Sequence, residues 1–419
     1  MKHTKRILLF ALLSLMLLCL VSCGGADEEE VEFIETPYAG TTLYIYNWGE
    51  YISDGSEGSL DVVALFEKTY GITVKYDYFS TNEELYGQLS KGAAYDVIFP
   101  SDYMIERMIG EGLLQPLDYE LLQNDGNIME QYRNRFYDPE NLYTVPYSVG
   151  MIGIVYNTKL VDPEDVASKS WDLLWNPKYA GGQLINFNNS RDAFGVSLMH
   201  LGMSLNTTNT ADWDKAYQHL RDQDCIYLMD EVFNKMENGS AAAAAYYAGD
   251  CITMMDVNPD LAFYYPSEGT NVFIDAMCIP QTAKNVGAAH LFIDFMLSAD
   301  VATQNANYIS YASPNSAVVS HPDYDHTEGT PGYEILYEIP EIYMEDPDQR
   351  MQYYHNLDDA TLKYMTDLWT RLGIDEEEGG LEYGTIVFLG LIGVGVVYAL
   401  VHYGKKVYVY TKTRKKKAN

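Results

Sequence analysis

Tyr44-Ile45-Tyr46-Asn47-Trp48-Gly49-Glu50-Tyr51 opens the folded part of the chain. Leu43, Ile45 and the tyrosines around them are apolar or aromatic residues of high strand propensity, so this half reads as a buried strand. Asn47, Gly49 and the Ser53-Asp54-Gly55 cluster are turn residues, so the strand must end near Trp48. An indole, a carboxylate and a phenol are thereby crowded at a strand's C-terminal end. In open α/β sheets that is where ligands bind. Taken alone, Trp48 and Tyr51 also read as a cap on the core.

Outward from this strand, helix and strand patterns alternate. Leu60 to Tyr70 is amphipathic and stops at Gly71; Ile72 to Phe79 alternates; Asn82 to Lys91 is a short helix. Tyr95 to Pro100 is a buried strand, and Tyr103 to Gly110 is helical. This βαβα order predicts a largely parallel, helix-covered sheet. Tyr143 to Tyr156 is an extended run broken by Pro146, Gly150 and Gly153, read as a crossover into a second lobe. There, Gln183 to Phe187 reads as a strand and Arg191 to Met203, Asp212 to Arg221 and Val232 to Asn238 as helices. Ala241 to Tyr247 and Ile252 to Val257 read as strands. Asn271 to Pro280 reads as a crossover back, Ala288 to Leu297 as a helix, Tyr311 to Asn315 as a further crossing and Leu357 to Leu372 as the last soluble helix.

The chain has 419 residues, enough for two ordinary cores. Its charge is segregated. Of 27 Lys and Arg, three (Lys2, Lys5, Arg6) open the chain and seven lie between Lys405 and Lys417, leaving 17 against 60 acids between them. A middle of about −43 repels nucleic acid and attracts cations. Residues 1–22 have a basic start and an apolar run, the pattern of a secretory signal. Residues 384–404 form a second uncharged apolar run, long enough as a helix (about 30 Å) to cross a membrane. The basic tail 405–419 is then expected in the cytoplasm and the acidic bulk outside. Cys19 and Cys23 belong to the leader; Cys225, Cys251 and Cys278 have no metal-ligand spacing and make no disulfide framework.

No Gly-rich phosphate loop, nucleophile elbow, HExxH or Cys/His set occurs, and eight scattered His anchor no triad. What recurs is an aromatic beside a polar or acidic residue at the end of a strand or crossover. The instances are Trp48-Gly49-Glu50-Tyr51, Ser101-Asp102-Tyr103, Asn189-Ser190-Arg191-Asp192, Tyr247-Ala248-Gly249-Asp250 and Phe273-Ile274-Asp275, with Tyr311 as a sixth place. Carboxylates beside aromatic faces suit an organic ammonium, through charge-assisted hydrogen bonds and cation–π contact. Asp275, between Ile274 and Ala276 in an apolar run, needs a charged or hydrogen-bonded partner. Asp192 also reads as an ordinary first-turn acid and Asp250 as a turn residue; Phe273 and Tyr311 also read as core.

Tyr46 to Tyr51, Ala94 to Ser101, Val145-Pro146-Tyr147, Ser170 to Leu174, Asp275 to Pro280 and Tyr311 to Asn315, in this order and spacing, resemble the spermidine/putrescine-binding proteins of ABC importers over residues 41–372. The resemblance implies a two-lobed α/β periplasmic-binding fold of type II, closing on its ligand in the interlobe cleft. The lobes expected are 41–147 with 276–315 and 148–275 with 316–375, after a tether over 23–40. In that resemblance Trp48 and Tyr51 match the family's aromatic pair, Glu50 an acidic position, and Ser101 and Tyr103 the next loop's contacts. Asp192 falls on an acid that takes an amine, Asp250 on an acid of the putrescine-preferring branch, and Asp275 on the main ammonium partner. Tyr247 and Phe273 stand where tryptophan is usual, and Asn189 where the spermidine branch has aspartate, which favours a diamine. Leu20-Val21-Ser22-Cys23 resembles a lipobox, which implies lipidation of Cys23. The function implied is an extracytoplasmic receptor that captures a polyamine and delivers it to an ABC permease and its ATPase, with no cofactor, no metal and no bond chemistry. Rival readings are a hydrolase using Asp192 and Asp250 as an acid/base pair, a same-fold receptor for another cationic or neutral solute, and a membrane-tethered sensory domain.

Overall fold

The computed structural model describes residues 31–373, apart from 230. The signal segment 1–22, Cys23, the span 384–404 and the tail 405–419 lie outside the described residues. Among those described, no single helix is long and apolar enough to cross a membrane.

The described residues form ten strands: β1 Thr42–Trp48, β2 Thr73–Phe79, β3 Val97–Ile98, β4 Val145–Asn157, β5 Leu184–Phe187, β6 Ile226–Leu228, β7 Ala243–Tyr247, β8 Leu261–Tyr264, β9 Thr270–Met277 and β10 Met351–Tyr353. The chain divides into two compact units. One runs to Val149 and resumes over Ile274–Glu328; the other comprises Gly150–Phe273 and the chain from Gly329. Two of the three passages fall inside β4 and β9. Asp275 and residues 316–328 belong to the first unit, whereas the sequence placed both in the second lobe.

The first unit is built on the parallel sheet β2-β1-β3. Leu43 and Ile45 of β1 are fully buried while Tyr44 between them is exposed, the alternation of a strand covered on one face. They pack with Phe66 of the helix Val62–Tyr70, with Val97 and Phe99, and with Phe292 and Ile293 of the helix Val286–Leu297. Asp61 caps the first of these helices by accepting from the Ala64 amide at 2.8 Å. Gly71 ends it at φ 66°, the left-handed conformation that a residue without Cβ adopts freely. Residues 34–40, expected in the tether, lie on this unit instead. The Ile34 amide donates to Thr69 O at 2.7 Å, and the Tyr38 ring sits so close to Gly287 that a Cβ there would fall 2.2 Å from its oxygen. An aromatic in the tether found an apolar seat, which composition did not foretell.

The second unit carries the larger sheet, in the order β10-β9-β4-β7-β5-β6 with β8 also against β4. β5 runs parallel to β6 and β7, while β4 is antiparallel to β7 and β8. Ala243, Ala244 and Ala245 of β7 are fully buried. Two glycines of β4 admit aromatic rings: a Cβ on Gly150 would lie 2.2 Å from Phe273 Cζ, and one on Gly153 2.3 Å from Phe263 Cζ. Ile252–Val257, expected as a strand, is part of the helix Ala248–Val257. Its buried Ala248, Cys251 and Ile252 follow helical spacing, and a short apolar run does not by itself distinguish the two states. The sequence reading also passed over β8, β10 and the helix Ala299–Ile309. Cys225 is half-buried, Cys251 and Cys278 are buried, and all three are free thiols.

Candidate functional site

In the first unit the polar ends of three separated stretches meet. β1 ends at Trp48, whose indole Nε1 donates to Phe99 O at 2.8 Å and whose ring packs 4.5 Å from that of Phe79. The turn that follows passes through Glu50 at φ 52°, leaving its side chain exposed, and brings Tyr51 back inside. Asp275 reaches the same place on β9. Its backbone bridges Ser101 in antiparallel fashion, and the Ala276 amide donates to Pro100 O at 3.1 Å. The buried Asp102 carboxylate takes the Ile274 amide at 3.2 Å. Residues 98–102 thus hold the backbone on either side of Asp275.

The Tyr51 hydroxyl donates to Asp275 Oδ2 at 2.8 Å and lies against the Ser148 hydroxyl. Its ring meets those of Tyr147 and Tyr311 edge-on, at 5.4 and 5.3 Å between centroids. Ser101 accepts from Asn82 Nδ2 at 3.0 Å while its amide donates back to Asn82 Oδ1 at 3.1 Å. Asp275 is 4% exposed, and no cation pairs with it among the described residues. Oδ1 is buried without a hydrogen bond of ordinary geometry. Burial therefore pushes the carboxyl up to about 6, with the nearby Ser101 and Tyr51 hydroxyls pulling the other way. A carboxylate held this way, by neutral donors and with one oxygen unpartnered, is chemically suited to a cation.

A second cluster of the same kind stands in the second unit. Asn189 caps the helix Ser190–His200 by accepting from the Asp192 amide at 2.8 Å, and its Nδ2 donates to Asp192 Oδ2 at 2.8 Å. The Tyr247 hydroxyl donates to that same oxygen at 2.6 Å. Tyr247 stands edge-on to Phe273 at 5.7 Å and tilted to Phe187 at 5.0 Å, so an aromatic wall adjoins the acid. Burial raises the Asp192 carboxyl; the Tyr247, Asn189 and Tyr354 donors and the neighbouring Arg191 offset part of that rise.

The expected residues fall into two groups. The structure joins Tyr51, Ser101, Tyr311 and Asp275, with Trp48 on the same turn; separately it joins Asn189, Asp192, Tyr247 and Phe273. Three others stand elsewhere. Glu50 is exposed, Tyr103 gives its hydroxyl to Glu83 Oε1 at 3.1 Å, and Asp250 is half-buried in the first turn of the helix after β7. The sequence reading missed Ser148, Tyr147, Asn82 and Tyr354. Ser148 was legible as the one aliphatic hydroxyl in β4; the others carry no local signal.

The family model described as bacterial extracellular solute-binding protein matches residues 93–338. A spermidine/putrescine-binding periplasmic protein of Escherichia coli K12 is 34% identical over 281 residues, covering 66% of this chain and 78% of the relative. A putrescine-binding periplasmic protein of the same organism is 31% identical over 298 residues, again 66% of this chain and 78% of the relative. The crystal structure of a spermidine/putrescine ABC transporter substrate-binding protein from Streptococcus pneumoniae is 30% identical, with a TM-score of 0.61, covering 80% of this chain and all of the other. These likenesses carry the two-lobed α/β periplasmic-binding fold across the described units, and the chain belongs to the family of bacterial extracellular solute-binding proteins.

Proposed function

We propose that the protein is an extracytoplasmic receptor that captures a linear polyamine and delivers it to an ABC importer. The observation that carries this reading is Asp275, a buried acid with one oxygen unpartnered, one on a tyrosine hydroxyl and no cation paired with it among the described residues. Asp192 offers a second acid with a tyrosine donor in the other unit, so each unit has one carboxylate for one ammonium. Trp48 and Tyr51 on the side of Asp275, and Tyr247 and Phe273 on the side of Asp192, supply rings for cation–π contact within each unit. Relatives named for spermidine and for putrescine support the class of ligand, and their naming as binding proteins supports a role without bond chemistry. Putrescine is the preferred ligand in this proposal, because Asn189 is neutral and its side chain is engaged by the helix cap and Asp192. Lipid on Cys23 and a span over 384–404 would hold the receptor at the outer face of the membrane, as the mass of the chain extracted from membranes would reveal.

The decisive experiment is calorimetric titration of the full-length protein in detergent with putrescine, cadaverine and spermidine between pH 5 and 8. The bound ligand needs Asp275 ionised, and protons compete below about pH 6. Affinity is therefore flat near neutrality and falls about tenfold per unit as the pH drops below that value. Proton release on binding near pH 6 makes the measured heat depend on the buffer. No binding of any polyamine, or an affinity unchanged at pH 5, would overturn the reading.

A further inference from the structure

Trp48 and Tyr51 lie on a turn, and a turn of this kind needs something to hold it. The hold comes from far along the chain. Asn305, 3% exposed on the helix Ala299–Ile309, accepts from the Ser53 amide through Oδ1 at 3.0 Å. Its Nδ2 donates to the Tyr147 hydroxyl at 2.8 Å, and that hydroxyl donates to Tyr51 O at 2.6 Å. Asn47 Nδ2 reaches the same carbonyl at 3.4 Å while its Oδ1 takes the Trp48 amide at 2.8 Å.

The polarity of this chain admits one arrangement. Tyr51 O can only accept, so the Tyr147 hydroxyl spends its proton there and must itself accept from Asn305. The Ser53 amide can only donate, so it must face the amide oxygen of Asn305. Both ends fix the same orientation of the Asn305 side chain. Burial keeps the Tyr147 hydroxyl protonated, with its ionisation well above the usual range. Around it pack the rings of Phe99 at 4.8 Å and Tyr51 at 5.4 Å. Ser53 is anchored from its other side as well, Oγ donating to Leu60 O at 2.6 Å.

We propose that Asn305, acting through Tyr147, is the positioning residue that fixes the Trp48–Ser53 turn and so aims the Tyr51 hydroxyl at Asp275. This rests on the reading of Asp275 as the ammonium partner; Asn305 itself is buried and bonds to Ser53 and Tyr147. Side chains that hold others in register change affinity without contact, because a small displacement of the contacting group forfeits the contact.

The test uses the full-length protein in detergent, with Asn305→Ala, Tyr147→Phe and the double variant. Putrescine and spermidine affinities are titrated, and amide exchange over residues 47–53 is followed by mass spectrometry without ligand. Each single variant is expected to weaken binding about tenfold and to speed exchange in that segment, leaving residues 42–46 of β1 and the second unit unchanged. The double variant should lose little more than either single one, since both cut one chain of bonds. Tyr147→Phe removes one oxygen, which keeps the test open where Asn305→Ala does not fold. Unaltered exchange over 47–53, or losses that simply multiply in the double variant, would overturn the proposal. Absence of polyamine binding by the parent protein would defeat the functional reading, and the exchange result would still decide whether Asn305 fixes the turn.

Discussion

Asp275→Asn is expected to weaken putrescine and spermidine binding by at least about 100-fold and, at the same time, to raise the melting temperature of the free protein at pH 7.5. Removing one partner of a buried charge pair costs about 2–5 kcal/mol of binding, and each 1.4 kcal/mol is a factor of ten. The stability change has the opposite sign. In the folded protein the carboxyl ionises near 6, above its ordinary value of 3.8, because burial disfavours the charge. Between those two values the folded state holds more protons than the unfolded one, so stability falls as pH rises through that window. At 1.36 kcal/mol per unit the charge costs the free protein as much as about 3 kcal/mol above pH 6. Asparagine has no such charge and still presents an oxygen to the Tyr51 hydroxyl, although its amide hydrogens must find acceptors beside Ser101. Well below 3.8 the parent carboxyl is protonated in both states, so most of the stability difference between the two proteins should already be gone at pH 4. Calorimetric titration and thermal unfolding at pH 4 and 7.5 check both halves. A variant that binds near normally, or that melts lower at pH 7.5, would sink the assignment of Asp275 as a buried charge awaiting a cation.

Asp192→Asn is expected to weaken the same ligands by about 30-fold with the second unit intact, near 2 kcal/mol. The replacement keeps the bonds of Oδ2, which takes both the Tyr247 hydroxyl and Asn189 Nδ2. An asparagine oxygen can do the same. What is lost is the charge, together with about 0.3–1 kcal/mol of its interaction with the helix N-terminus. Comparing two ligands sharpens the test. Putrescine carries two ammonium groups and is expected to lose affinity in either variant, whereas a monoamine of the same chain length binds the parent weakly and responds to only one of the two substitutions. Equal affinity of parent and Asp192→Asn for putrescine would leave Asp192 as a helix acid and nothing more. Activity of the purified protein on an ester or amide, abolished in this variant, would instead favour the acid/base reading.

Local sequence was enough for several conclusions. The opening strand ends at Trp48 because Asn47, Gly49 and the residues beyond favour turns, and the ladder with β2 does stop there. The alternation of strands and amphipathic helices was enough for a parallel, helix-covered sheet, because periodicity is a property of neighbours in the chain. The repeated pairing of aromatic with acid at strand ends was also legible, a pairing that suits an organic cation.

Other features became definite only in three dimensions. All eight residues of β9 are buried, so there is no alternation from which to read the face that Asp275 occupies. Its partner Tyr51 lies 224 positions away, and Asn305 lies 252 positions from the amide it holds. Hydrogen bonds over such separations leave no mark on local composition or spacing. The same is true of Glu50 and Tyr103, whose residue types suited a binding role but whose side chains the backbone directs to solvent and to Glu83. The sequence by itself determined which residues could bind an ammonium and where strands deliver them. Which carboxylate is left buried, without a cation and with an oxygen open was decided by tertiary packing, since desolvation depends on what surrounds a group in space rather than along the chain.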